Sequence, residues 1–239
     1  MECSAWAAWS VLAPAGISAG GHLAAASATL GALSLAASRF MLRQVRHAQP
    51  GRTPLSLPRG PLALLGVLAG MGLVAEGAMY DWSVLYLRQE IGSPTVLASL
   101  GYASFSGAMA AGRFGGDRVR ARVPAARLMC ASGLLGAAGM ALALGVPQPV
   151  AVLTGFALVG LGFANIVPVL FSAAGQLPGI PAAQGIAAVS SVGYFGMMAG
   201  PPMIGFIAEA RSLTAGLLVV IVFALVVTAS SRRALGPRR

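Results

Sequence analysis

Glu76, Tyr80 and Asp81 stand together in AEGAMYDWSVLYL, residues 75–87, inside a run that is otherwise apolar. An acid in apolar surroundings can bind a proton, a cation or a polar solute, and it needs a reason to be there. A second polar point is Asn165 in GLGFANIVPVLFSAAGQLPG, three residues before Pro168. Proline cannot donate to the carbonyl four residues back, so a helix through this stretch leaves the Ala164 carbonyl free beside the Asn165 amide. Such a loosened helix suits a solute or ion where backbone lines a cavity. A kinked helix whose Asn bonds a neighbouring span is the competing explanation. The third cluster is GRFGGDRVRAR, in which Arg113 to Asp117 and Arg118 to Arg122 have the four-residue spacing that latches helix ends. It lacks the Gly-Lys-Ser/Thr ending of a phosphate loop and follows no strand.

The elements that hold these residues are set by composition. Of 239 residues, 57% are hydrophobic and 9% charged, against roughly 25% charged in a soluble domain. The chain belongs in a lipid bilayer. All 16 basic residues are Arg, and they sit between apolar runs, so membrane topology explains them better than a nucleic-acid partner does. Cys3 and Cys130 lie far apart, and His22 and His47 have no metal-ligand neighbours, so no disulfide framework, metal or cofactor is expected. MECSAWAAWS has no basic start, and no cleavable signal peptide is expected.

A spanning helix needs about 20 mostly apolar residues. Seven such runs occur, at approximately 20–38, 61–87, 94–115, 125–145, 149–172, 184–207 and 212–230. The expected class is an all-α integral membrane protein of about seven transmembrane helices. Residues 1–19, with AWAAWSVLAPAG closed by Pro14, read as an exoplasmic remnant of a helix whose beginning is missing. Residues 20–38 form the first span, 39–60 an Arg-rich cytoplasmic linker, 61–231 a six-helix domain and 232–239 a cytoplasmic tail. Three connections carry five, five and four Arg, whereas those between them carry one, none and one. Positive charge is retained on the cytoplasmic side, so the N-terminus is expected outside and the C-terminus inside.

Counted from the centre of the second span near Val74, Glu76 lies ~3 Å from mid-membrane and Asp81 ~10 Å towards the outer face. A central acid costs roughly 2.5 to 3.5 kcal/mol on insertion scales and so faces a cavity or a partner. Glu76 and Tyr80 share a helix face, while Asp81 is turned about 140° away. The two acids are therefore not a paired-carboxylate site. Asp81 shares a stripe with Arg88, and pairing with that Arg or solvation at the outer end would account for it. Glu76 has no such outlet on its own helix and is the expected proton- or substrate-binding acid, with Asn165 in the same cavity and Tyr80 and Asp81 nearer the mouth.

SLGYASFSGAMAAG at 99–112 and SVGYFGMMAG at 191–200 share Ser-x-Gly-Tyr and a closing Ala-Gly, offset by one helical turn. The topology puts one copy at the outer end of the third span and the other at the inner end of the sixth, an inverted repeat of three spans against three, as in many secondary transporters. Ser104, Ala108 and Gly112 in one copy, and Gly193, Gly196 and Gly200 in the other, let helix backbones approach closely. Pro201 and Pro202 are expected to break the outer half of the sixth span after Gly200, as a gate or as a static kink.

EGAMYDWSVLYL, GRFGGDR, GLGFANIVPVLFSAAGQLPG and VGYFGMMAGPPMIG, in this order, resemble the major facilitator superfamily, nearest to the bacterial inner-membrane permeases of YbjJ type, related to the fucose permeases. The resemblance runs from about residue 20 to 232. It implies twelve helices in the complete transporter, of which this chain supplies the sixth to the twelfth, and a proton- or ion-coupled carrier of a small solute with a cavity lined by the second and fifth spans. It also implies a partner for the missing half, in the same or a second chain. In the loop motif Asp117 and Arg118 match the superfamily pattern Gly-x-x-x-Asp-Arg-x-Gly-Arg, but Arg113 and Arg120 replace its glycines.

Seven spans with the N-terminus out and the C-terminus in also describe a seven-helix membrane receptor or binding protein, although a retinal-type receptor needs a Lys, and there is none. An intramembrane protease has no HExxH here, and a two-Asp site would need Asp117 at a cytoplasmic end. An inactive fragment requiring its other half has the same residues as a half-carrier. No enzyme activity is expected.

Overall fold

The computed structural model describes residues 19–39 and 59–236. Most of the expected N-terminal remnant, most of the linker and residues 237–239 lie outside that range, as does His47. All the regular structure in it is helical: α1 Ala19–Ser38, α2 Pro61–Gln89, α3 Thr95–Arg122, α4 Ala125–Gly145, α5 Pro149–Phe163, α6 Ile166–Gly175, α7 Ala182–Ala210 and α8 Leu213–Leu235. The chain divides into two compact units at Leu55 and Ser56. The first contains α1, a 20-residue helix rich in Ala, Ser and Gly.

The second unit is a six-span bundle, with α5 and α6 forming one interrupted span. Four of its spans, α2, α4, α5–α6 and α8, are each long and apolar enough to cross a bilayer. α3 and α7 are long enough at 28 and 29 residues, but their Gly, Ser and Ala dilute the hydropathy, and α3 ends in a charged stretch. Those small residues serve packing instead. α2 lies along α7, where a Cβ at Gly196 would come within 2.9 Å of the Gly70 Cα. α3 lies along α5, where a Cβ at Gly160 would come within 3.0 Å of the Met109 nitrogen, and Ser104 donates to the Leu153 carbonyl at 2.7 Å. α4 packs on α5 and on α8 through Gly139, Gly136 and Gly133.

This pairing is that of an inverted repeat. The first helix of each triplet lies along the middle helix of the other, α2 on α7 and α5 on α3, and the two third helices, α4 and α8, lie together. The closing glycines of the two sequence copies have matching positions. Gly112 sits against Ala164 of α5–α6, and Gly200 against Val74 of α2. Between the seams lies a core of large side chains, among them Leu65, Met79, Phe105, Met109, Phe156 and Leu170.

Two expectations are corrected. α7 runs unbroken through Gly200, Pro201 and Pro202. Two missing N–H groups weaken one turn, but Gly193, Gly196 and Gly200 before the prolines sit close against α2 and Gly205 after them faces Trp82 of α2, and no break is needed. The cytoplasmic loop motif is not a loop, since α3 continues to Arg122 and Arg113, Asp117, Arg118 and Arg122 are all helical. Gly115 and Gly116 read as a helix end, yet Pro124 is where α4 is capped and the true corner lies.

Candidate functional site

Glu76 falls in the middle of α2, the most buried span of the bundle. Its carboxylate does not stand alone. Arg113 of α3 places one guanidinium nitrogen, Nη2, at 2.9 Å from Oε1 and 3.0 Å from Oε2. The side chain of Glu76 is 9% exposed and that of Arg113 45%, so the pair has one closed and one open side. A buried carboxylate needs a cation and hydrogen bonds to offset its desolvation, and Arg113 supplies both. It does so because α3 continues nine residues beyond it, about 13 Å of helix, which keeps Arg113 inside the bundle instead of at its edge.

The open side of the pair is a cavity of about 400 Å³ lined by Tyr80, Ser106, Met109, Ala110, Arg113 and Phe114. Tyr80 stands one helical turn from Glu76 and stacks edge-on against Phe105, with ring centroids 5.1 Å apart, and at a tilt against Tyr102, at 5.4 Å. Its hydroxyl points to the Met109 sulfur, 3.7 Å away. The Ser106 hydroxyl is turned back onto the Tyr102 carbonyl at 2.7 Å. The walls are thus aromatic, aliphatic and thioether, with one cation. Glu76 and Tyr80 meet here, as their four-residue spacing predicts. Asp81 does not: it is exposed and forms no hydrogen bond or ion pair with another described residue, Arg88 included.

Asn165 belongs to a second, linked cluster and does not line this cavity. It is the cap residue at the break between α5 and α6, with Ala164 and Asn165 as turn residues and Pro168 in the first turn of α6. The interruption occurs where Pro168 withholds its donor from Ala164, and a proline in the first turn loses little because those N–H groups have no helical partner. Arg120 of α3 donates to the Asn165 Oδ1 at 2.9 Å, and the Asn165 Nδ2 faces the Gly112 carbonyl at 3.5 Å. Arg120 also pairs with Asp117 one turn earlier. Gly116 makes room for this cluster, since a Cβ there would collide with the Asn165 side chain and come 3.2 Å from Arg120 Nη1.

One stretch of α3, from Gly112 to Arg120, therefore reaches both polar points, Glu76 on α2 and Asn165 between α5 and α6. Arg113 and Arg120 stand where the superfamily pattern has its two glycines, and each makes an interior bond. Sequence reasoning gave these arginines to topology or to a latch and missed both partners. A helix drawn through to Pro124 would have put Arg113 at the depth of an unpartnered acid. Among the described residues no group of three or more His, Cys, Asp or Glu side chains could hold a metal ion.

No family model matches the chain. It is 38% identical over 201 residues to an uncharacterized MFS-type transporter of Yersinia pestis, covering 84% of this chain and 52% of that protein. It is 39% identical over 220 residues to the membrane protein MosC of Rhizobium meliloti, covering 90% of this chain and 54% of MosC. A putative tartrate transporter of Agrobacterium vitis is 39% identical over 97 residues, 40% of this chain and 22% of that one. The crystal structure of a peptide transporter, POT, in complex with sulfate superposes with a TM-score of 0.62 at 25% identity, covering 78% of this chain and 40% of that one. The chain spans about half the length of the curated relatives it matches. It is thus an all-helical membrane protein of the major facilitator fold, and those of these relatives whose names state a role are transporters, not enzymes.

Proposed function

We propose that this chain is the second half of a secondary active transporter of the major facilitator type, in motif nearest the YbjJ-type permeases, and that it moves a small solute across the inner membrane of a bacterium by coupling to protons. It corresponds to helices six to twelve of such a transporter: α1 ends the preceding half, the segment up to Gly60 links the halves, and α2 to α8 form the second domain. The other half of the cavity comes from the preceding helices, in the same chain or in a partner. The Arg-rich ends face the cytoplasm.

The observation that supports this reading is the Glu76–Arg113 pair, held at the middle of two packed helices and open on one side to a cavity. A structural ion pair has no need of a cavity, and a buried acid with a replaceable partner can alternate between charged and neutral. Glu76 is then the coupling acid and Tyr80 part of the solute wall. Asn165 and Pro168 hold the broken span, pinned to α3 by Arg120, while Asp81 lies nearer the mouth.

The test uses the transporter assembled with its preceding half in vesicles, comparing uptake driven by a proton gradient with exchange of the same solute at equilibrium. Glu76→Gln is expected to abolish driven uptake and spare exchange, and Asp81→Asn to do less harm. Normal driven uptake by Glu76→Gln, in protein inserted at normal levels, would make Glu76 a structural acid.

A further inference from the structure

The Arg-rich end of the bundle holds a second cavity, of about 440 Å³, apart from the Glu76–Arg113 pair. Arg120, Val123 and Ala125 at the α3–α4 corner form one wall, α6 and the residues just after it another, and the end of α8 at Leu235 and Gly236 the third. We infer that this cavity holds the headgroup of an anionic phospholipid, with the phosphate on Arg120 and Arg232 and the glycerol backbone against the apolar walls. Every lining residue belongs to this bundle, so the site needs nothing from a preceding half and the inference stands apart from the transporter reading.

Charge selects an anion. The end of α3, the first turn of α4 and the last turn of α8 carry Arg118, Arg120, Arg122, Arg127, Arg232 and Arg233, against a single acid, Asp117. The next carboxylate along the chain is Glu209, near the far end of α7. Asp117 is taken up by Arg120, and the other five arginines form no ion pair with a described residue. Arg120 lines the cavity, and its Nε donates to no described residue. Guanidinium is the side chain best matched to phosphate oxygens. Ser172 adds a donor: it accepts from Gln176 Nε2 at 3.0 Å, and its own O–H is given to no described residue. α4 begins at this wall without a side-chain cap, and its first N–H groups favour the same sign of charge.

The walls and α8 decide the source of the phosphate. Val123, Val169, Ala173, Leu177 and Leu235 are apolar, which disfavours a small hydrated anion and suits a phosphate carried on an apolar body. α8 is the least buried of the four apolar spans. Leu218, Val222, Leu225, Ala229 and Arg232 form one exposed stripe along it, each three or four residues after the last, and Gly236 continues that stripe into the cavity wall. Acyl chains lying on the stripe therefore deliver their headgroup to Arg232 and the cavity beside it. A zwitterionic headgroup brings a cation of its own to a place already crowded with arginine. The volume is in the range of ligand sites, roughly 300 to 1,000 Å³.

The experiment uses the purified chain in uncharged detergent, titrated with phosphatidylglycerol or with phosphatidylcholine of the same acyl chains. Native mass spectrometry counts the lipid retained, and thermal unfolding reads its effect on the fold. The first phosphatidylglycerol is expected to be held at least ~10-fold more tightly than phosphatidylcholine and to raise the melting temperature. Arg120→Gln should weaken it about 5-fold, and so should Arg232→Gln, which removes an exposed side chain with no ion pair and leaves the fold unchanged. Ala173→Leu narrows the cavity without altering any charge and should weaken it at least as much. Arg118→Gln removes the same charge from a face of α3 turned about 200° from Arg120 and should change it less than ~2-fold. Inorganic phosphate and sn-glycerol 3-phosphate in large molar excess should leave the lipid in place. Phosphatidylcholine held as tightly, equal losses for Arg118→Gln and Arg232→Gln, indifference to Ala173→Leu, or displacement by either soluble phosphate would each overturn the inference. The first two results would mean a diffuse charged surface or general lipid adhesion, and the last a soluble phosphate compound as the occupant.

Discussion

Arg113 bonds both carboxylate oxygens of Glu76 through one nitrogen, across two helices and 37 positions of sequence. The two partners are unequally enclosed, with Arg113 half open and Glu76 almost shut in.

That inequality makes the two deletions unequal. Arg113→Gln leaves a buried carboxylate without its cation and is expected to cost about 1 to 3 kcal/mol, less than a fully enclosed pair would because the cavity admits water. Glu76→Gln leaves a cation that can turn to that water, at a cost below about 1 kcal/mol. The double variant should recover part of the Arg113→Gln loss. Thermal unfolding in detergent at constant pH measures all three, and equal single losses would contradict the enclosed geometry of Glu76.

The seam between α2 and α7 tolerates no added bulk where Gly196 meets Gly70. Gly196→Leu is expected to force the helices apart and to lower stability by about 1 to 3 kcal/mol. Gly107, on the open face of α3, has nothing within 4 Å of the place a Cβ would take, so Gly107→Ala should stabilise by up to about 1 kcal/mol through helix propensity. Melting temperatures of the two variants should move in opposite directions.

Arg120, Gly116 and Asn165 form one contact, and substitutions in it should not add. Gly116→Ala puts a methyl into the space the Asn165 side chain occupies, and Arg120→Gln removes its donor. Each is expected to cost about 1 kcal/mol, and the pair together little more than the worse of the two. A double-mutant cycle by thermal unfolding decides this, and full additivity would mean that the two residues act separately.

The orientation proposed from the Arg distribution is open to reporter fusions. Fusions after Arg59, Arg122 and Arg233 should read cytoplasmic, and those at Gly92, Gln148 and Ala210 exoplasmic. Arg113 is spoken for by Glu76, but the Arg-rich connections keep their excess without it. Reversal at any of the three Arg-rich points would overturn the assignment of sides.

Composition and local chemistry alone determined that the chain is a helical membrane protein, roughly where its apolar runs lie, and that the helix is weakened near Asn165, because burial of backbone in lipid and the missing donor of Pro168 are properties of neighbouring residues. They also determined that Glu76 needs a partner. Which partner only the tertiary structure decided. Helical periodicity says which face of α2 carries Glu76 and is silent about which helix lies against it, so the match to Arg113, and that of Arg120 to Asn165 across 45 positions, appeared only when α3 was packed between them. The same holds for Pro201 and Pro202. Locally they disfavour a helix, and the close fit of Gly193, Gly196 and Gly200 on α2 keeps one.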